Sequence, residues 1–183
     1  MKNEVTKAKS LTMEAIHFGT PTRILEKNHA IPVSYNGNKL YIQLPRVQTF
    51  SDVYEKESKF FVDVIFSKCS ILYDMYTSLA THCDSYCKQH TLFKDSTFIG
   101  HMRQIKNHDG DKYGVLRLKL PQNSGKIMTS ITERNHETGA VRQLSTVHIT
   151  PGTTIVPIIA MDYVYVINGY SGFNLLLAEA VVV

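Results

Sequence analysis

Only one stretch of this chain places its apolar residues at helical spacing. After Ser70, which offers an N-cap, Ile71, Leu72, Met75, Leu79, Cys83 and Cys87 recur every three or four positions, predicting one amphipathic helix that ends near Lys88. The rest is written in period two and punctuated by turn pairs. Before the helix, Ile31 to Tyr35 and Lys39 to Leu44 surround Asn36-Gly37, a pair that tolerates positive φ. A β-hairpin is expected there, with Leu40, Ile42 and Leu44 on one face and Lys39, Tyr41 and Gln43 on the other. Lys59 to Phe66 is dense in aromatic and β-branched residues and reads as a strand. After the helix, strands are expected at Thr97 to Ile105, Gly114 to Leu120, Lys126 to Glu133, Val141 to Val147, Ile155 to Ile159, Tyr163 to Ile167 and Phe173 to the end. Leu116, Leu118 and Leu120 should point inward and Val115, Arg117 and Lys119 outward.

A mainly antiparallel β chain with one helix inserted after the third or fourth strand is the arrangement of an OB-like Greek-key barrel, whose open face binds single-stranded nucleic acid or oligosaccharide. With 183 residues, 43% of them hydrophobic, residues 1–183 can bury one full core. A single domain is expected, with 1–50 either an N-terminal extension or a hairpin packed on it. No window reaches the roughly 20 apolar residues of a membrane-spanning helix, and the opening MKNEVTKAK has no apolar secretory stretch. Cys69, Cys83 and Cys87 are an odd count without secreted-domain spacing. These features predict a soluble protein of an intracellular, reducing compartment, without a membrane partner.

The chemistry is sparse. His82, Cys83, Cys87 and His90 put soft ligands close together on the helix, but no second Cys/His pair with structural spacing completes a zinc site, and Cys83 and Cys87 continue the apolar stripe. They are read as packing, and no metal or other cofactor is expected. His108-Asp109-Gly110-Asp111 has the composition of a turn, and the remaining carboxylates are too scattered for a two-metal nuclease. Gly169-Tyr170-Ser171-Gly172 has the wrong spacing for a nucleophile turn, and no phosphate-cradling loop is present. The chain is therefore expected not to be an enzyme.

What remains is charge beside aromatic rings. The net charge is +4, and basic residues outnumber acidic ones by 7 to 3 over 1–50 and by 9 to 5 over 94–142. Such clustering suits a polyanion groove as well as an ordinary solvated surface. Single-strand binders need cations along the phosphates and flat rings beneath unstacked bases. Arg117 and Lys119 share a strand face with Tyr113 at its entry; Lys39, Tyr41 and Arg46 form a second set beside the Asn-Gly turn; and Arg103, Lys106 and Lys126 add charge in adjoining segments. In Tyr163 to Ile167, Val164 and Val166 are assigned to the core, while Tyr163 and Tyr165 face a groove or a second packing layer.

The passages KFFVDVIFSKCSILYDMYTSLA, KDSTFIGHMRQIK, GVLRLKL and ITPGTTIVPIIAMDYVYVINGYSGFNLLLAEAVVV resemble, in element order and hydrophobic character, the single-stranded DNA-binding proteins of large nucleocytoplasmic DNA viruses, the group spanning poxviruses, asfarviruses and iridoviruses. The likeness runs from roughly residue 57 onward, about two thirds of the chain. It implies an OB-type core and sequence-tolerant binding of single-stranded DNA, with RNA as a possible competitor. It also implies a role in viral replication, recombination or repair, in host cytoplasm or nucleus. Carried over residue by residue, the binding role falls on Arg103, Lys106, Arg117, Lys119, Tyr163 and Tyr165. The chain departs from that group in being short and in ending on Ala180-Val181-Val182-Val183 without an acidic tail, so partner recruitment through such a tail is not expected. A second expectation, from a different class, is a viral structural or self-assembling β protein whose apolar ending Leu175 to Val183 offers an edge strand to another copy.

Overall fold

The chain passes back and forth between two sheets, changing sheet at short polar breaks. The computed structural model describes residues 4–26, 28–66, 70–106, 112–135 and 137–183. The larger sheet runs Thr6–Lys7, Leu40–Gln43, Thr154–Met161, Leu176–Val182, Lys112–Leu120, Lys59–Ile65, Tyr54–Lys56 and curls into a half-barrel. Met102–Lys106 pairs with the other edge of Lys112–Leu120, and Ser130–Arg134 with Leu176–Val182; Val141–Leu144 in turn extends Ser130–Arg134. The smaller sheet runs Ile16–Phe18, Asn28–Tyr35, Tyr163–Ile167, Tyr170–Phe173, Thr97–Phe98, with Thr22–Leu25 also on Asn28–Tyr35. The architecture is mainly β with a single α-helix among the described residues, Ser70–Gln89.

That helix buries Leu72, Met75, Tyr76, Leu79, Cys83 and Cys87. It packs on the smaller sheet, where the Tyr76 ring lies 5.6 Å from Phe173 and Phe18 stacks on Tyr86 at 4.1 Å. Ile71 falls just outside this arc and is 43% exposed, and Tyr76 fills the face instead. Cys83 and Cys87 are buried as packing residues, and burial pushes both thiols up from their ordinary pKa. Cys69 and the segment from His108 to Asp111 lie outside the described residues. One contiguous core joins both sheets and the helix.

Several expectations change in detail. Asn36 and Gly37 adopt φ of 49° and 77°, and Tyr35 and Asn38 exchange backbone hydrogen bonds of 2.8 and 2.9 Å, so the tight turn is real. The strands it joins then diverge: Asn28–Tyr35 pairs with Tyr163–Ile167 and Leu40–Gln43 with Thr154–Met161, in different sheets. Thr97 to Ile105 is likewise two pieces, broken at Ile99-Gly100-His101, that join different sheets. Among the described residues eight strand segments precede the helix, not three or four, because short pieces such as Thr6–Lys7, Val47–Gln48 and Tyr54–Lys56 carry no periodic signal; of these eight, Asn28–Tyr35 and Lys59–Ile65 exceed four residues. Val115, expected outward, is fully buried between its ladder partners Ile65 and Arg103. The ending is not an edge: Leu176–Val182 is paired on both sides, by Thr154–Met161 and Ser130–Arg134. Among the described residues no helix is long and apolar enough to cross a membrane.

Candidate nucleic-acid interface

Directly paired residues of a sheet share a face, so the registers define what stands together. One unbroken row crosses six strands of the larger sheet: Tyr54 pairs with Phe61, Phe61 with Lys119, Lys119 with Leu176, Leu176 with Ala160, and Ala160 with Tyr41. Five strand spacings make this row about 24 Å long. Alternate residues of the same strands, among them Val62, Leu118, Leu120, Leu177, Ile159 and Ile42, fill the core, so the row lies on the opposite face. Lys119 and the rings of Tyr41, Tyr54 and Phe61 thus stand on one surface, although 78 residues of sequence separate Tyr41 from Lys119.

One step along the strand, Arg117 pairs with Asp63. Asp63 is buried and acts as a hub. Its Oδ2 accepts from Arg103 Nη2 at 2.5 Å and from the Tyr54 hydroxyl at 3.1 Å, and its Oδ1 accepts from Arg117 Nε at 3.4 Å. Arg103 reaches across the Lys112–Leu120 strand to do this, over the side where Val115 is buried. The Arg117 guanidinium lies 5.3 Å from the Phe61 ring centre and 5.6 Å from that of Tyr54, within cation–π range of both. Burial first, then the Asp63 charge, raises the Tyr54 pKa. Among the described residues four cations, Lys59, Arg103, Arg117 and Lys119, share this region with the Asp63 carboxylate.

Lys112–Leu120 changes partner midway, and the change opens a crevice. Its first half pairs with Met102–Lys106, the last contact being Met102 with Leu116; Leu176 takes over at Lys119. At the seam a pocket of about 160 Å³ is lined by Lys59, Phe61, Arg117 and Lys119 from the sheet and by His101, Asn174 and Leu175 from the chain ends that part there. Burial, then Lys59, lowers the Lys119 pKa. Burial also lowers that of His101, against a backbone hydrogen bond to Phe173 and with help from Arg117 and Arg103. The backbone N–H of His101 is fixed by the Tyr76 hydroxyl at 2.6 Å.

His101 also links the seam to the second sheet, since its Nε2 lies 3.5 Å from the Tyr165 hydroxyl. Val164 and Val166 are buried as expected, and Tyr163, Tyr165 and Ile167 occupy the other face together with Tyr170, the ladder partner of Ile167. Tyr163 and Tyr170 are 37% and 50% exposed, whereas Tyr165 is half-buried and lies across Gly172, where a Cβ would meet its hydroxyl at 2.6 Å. The tyrosine alternation therefore makes a partly wet platform, with Tyr165 as its inner, packed member. Asp162, the single residue between Met161 and Tyr163, accepts a 2.9 Å ion pair from Lys39, whose ammonium is 5.4 Å from the Tyr41 ring centre. Burial alone would lower the Lys39 pKa; the Asp162 hydrogen bond and charge, with Tyr41, outweigh it and raise it.

Of the expected residues, Arg103, Arg117, Lys119 and Tyr165 meet around the seam, with Tyr163 on the adjoining platform and Lys39 and Tyr41 at the far end of the row. Two do not join them. Arg46 is exposed past Pro45, beside the opposite end of Thr154–Met161 from Lys39, because the strand between them is extended. Lys126 stands on a separate two-stranded ribbon, Gln122–Asn123 with Lys126–Ile127, that projects beyond Leu120. The side chains of Lys106 and Tyr113 lie outside the described residues. Lys59, Asp63, Tyr54, Phe61, His101, Asn174 and Tyr170 were not singled out; the alternation Lys59, Phe61, Asp63 was a usable signal, whereas His101 and Asn174 reach the site only through sheet pairing. No group of His, Cys, Asp or Glu among the described residues is arranged to hold a metal ion. No known protein family and no curated protein matches the chain.

Proposed function

We propose that this chain binds single-stranded DNA with little regard to sequence, its cations neutralising phosphates and its exposed rings stacking on bases, in replication, recombination or repair. The observation that carries the reading is the register row in which Tyr54, Phe61, Lys119 and Tyr41 share one face, joined through His101 to the Tyr163–Tyr170 platform. Base–aromatic stacks are worth about 1–3 kcal/mol each and every base has a ring face to offer, so such a surface is sequence-tolerant. An OB-like reading of the half-barrel, and a viral source akin to the nucleocytoplasmic DNA viruses, belong to the same proposal and rest on the resemblance of the sequence. Coating of this kind protects a template and removes hairpins without catalysis.

The test is fluorescence anisotropy with a labelled poly-pyrimidine oligonucleotide across a salt series. Each phosphate contact contributes about 0.7 to the slope of log affinity against log salt for a single strand. Replacing Lys59 and Lys119 together with Ala should weaken binding and make the slope shallower by about 1.4. An unchanged slope would remove these lysines from the interface, and absence of any salt-dependent binding would sink the function.

A further inference from the structure

We propose that the seam pocket seats a phosphate monoester at the end of a nucleic-acid strand, a deepening of the single-strand reading that rests on it. A track for internal phosphodiesters needs only one cation for each single negative charge. The pocket instead converges Lys59, Arg117 and Lys119 on one volume of about 160 Å³, with Asn174 and His101 as polar neighbours. A phosphate monoester carries about −1.5 to −2 charge at pH 7 and three strong acceptor oxygens, which suits three cations better than a diester does. The volume of about 160 Å³ is several times the roughly 30 Å³ liquid share of one water molecule, room enough for a phosphate group.

The donors are already aimed. Asp63 takes the Nε–H of Arg117 and, with Phe61 and Tyr54 beside the guanidinium, fixes its plane; among the described residues the two terminal amino groups have no protein acceptor. Lys119 is held in place by its own backbone, whose N–H donates to the Leu175 carbonyl at 2.9 Å. The depressed pKa of Lys119, caused by burial and then by Lys59, marks a repulsion that a dianion between the two would relieve. His101 lines the pocket, and its Nε2 lies 3.5 Å from the Tyr165 hydroxyl. A nucleoside attached to the seated phosphate would therefore lean onto the Tyr163, Tyr165 and Tyr170 platform.

The experiment compares oligothymidylates of one length ending in a 5′-phosphate, a 3′-phosphate or hydroxyls only, by anisotropy at fixed salt, alongside ³¹P NMR titrations with thymidine 5′-monophosphate and inorganic phosphate. A phosphate-ended strand should bind at least about tenfold more tightly than the hydroxyl-ended one, equivalent to roughly 1.4 kcal/mol, and Lys59→Gln, at an exposed position, should abolish most of that gain while the melting curve stays in place. Equal affinity for all three strands would overturn the phosphate seat and leave single-strand binding standing. Binding of thymidine 5′-monophosphate with no binding of any strand would overturn both the strand-end assignment and the single-strand reading. Inorganic phosphate binding as tightly as the nucleotide would reduce the pocket to a bare anion site and overturn the assignment.

Discussion

At the scale of single residues, Asp63 ties Tyr54, Arg103 and Arg117 together. Its carboxylate is buried with three donors on it, and removing one partner of such a cluster leaves the others uncompensated. Asp63→Ala should cost about 2–3 kcal/mol in chemical denaturation, less than the usual cost of breaking a fully enclosed pair because the Arg103 side chain is 38% exposed. Arg117→Ala would take a partner from Asp63 and the cation from beside Phe61 and Tyr54, so thermal stability should fall together with any affinity for single strands under the proposed function. Gly172 sits where any Cβ would meet the Tyr165 hydroxyl at 2.6 Å and the Ile99 carbonyl at 3.0 Å. Gly172→Ala should therefore destabilise by about 1–3 kcal/mol and displace Tyr165 from the platform, which its fluorescence on oligonucleotide titration would report. Burial, then Arg117 and Arg103, lower the His101 pKa below 6.5, so as pH falls through that value the unfolded chain takes up a proton that the folded chain refuses. Its contribution to stability is complete above about pH 6.5 and is lost toward the folded pKa. Melting temperatures measured between pH 7.5 and 5.5 should decline less in His101→Gln than in the native chain.

Among the elements, the helix and the last strand carry opposite lessons. The helix was legible in its extent and most of its face because its period is local: Leu72, Met75, Leu79, Cys83 and Cys87 follow from spacing of three and four, whereas Ile71 is exposed and Tyr76 takes its place on the buried face. Leu79, fully buried on that face, should cost about 2–5 kcal/mol when cut to Ala, read as a shift of the urea midpoint. Leu176–Val182 is nearly all apolar, yet only Leu177 and Ala180 are buried in it; what encloses the strand is pairing along both edges. Proline at Val181, which pairs with both Val156 and Thr132, should abolish the cooperative transition because a central strand cannot lose a ladder donor. Copies of the chain would have to meet at another strand: among the described residues Val141–Leu144 is paired only with Ser130–Arg134, and Val141 is 65% exposed.

For the whole molecule, the sequence by itself determined the class of structure: one helix, many short strands, the Asn36-Gly37 turn, and the inward set Leu40, Ile42, Leu116, Leu118, Leu120, Val164 and Val166. These are local properties, set by side-chain period and by which residues tolerate positive φ. It also singled out Arg103, Arg117, Lys119, Tyr163 and Tyr165, because an exposed cation or ring on an alternating strand is visible in isolation. Tertiary structure alone decided which strands lie side by side. The hairpin that parts into two sheets, the ladder from Tyr54 to Tyr41, and the partner change that brings His101 and Asn174 to Lys119 all depend on long-range pairing. A period of two fixes which face of a strand a residue occupies but carries no information about its neighbour, which is chosen by the burial and hydrogen bonding of the entire fold.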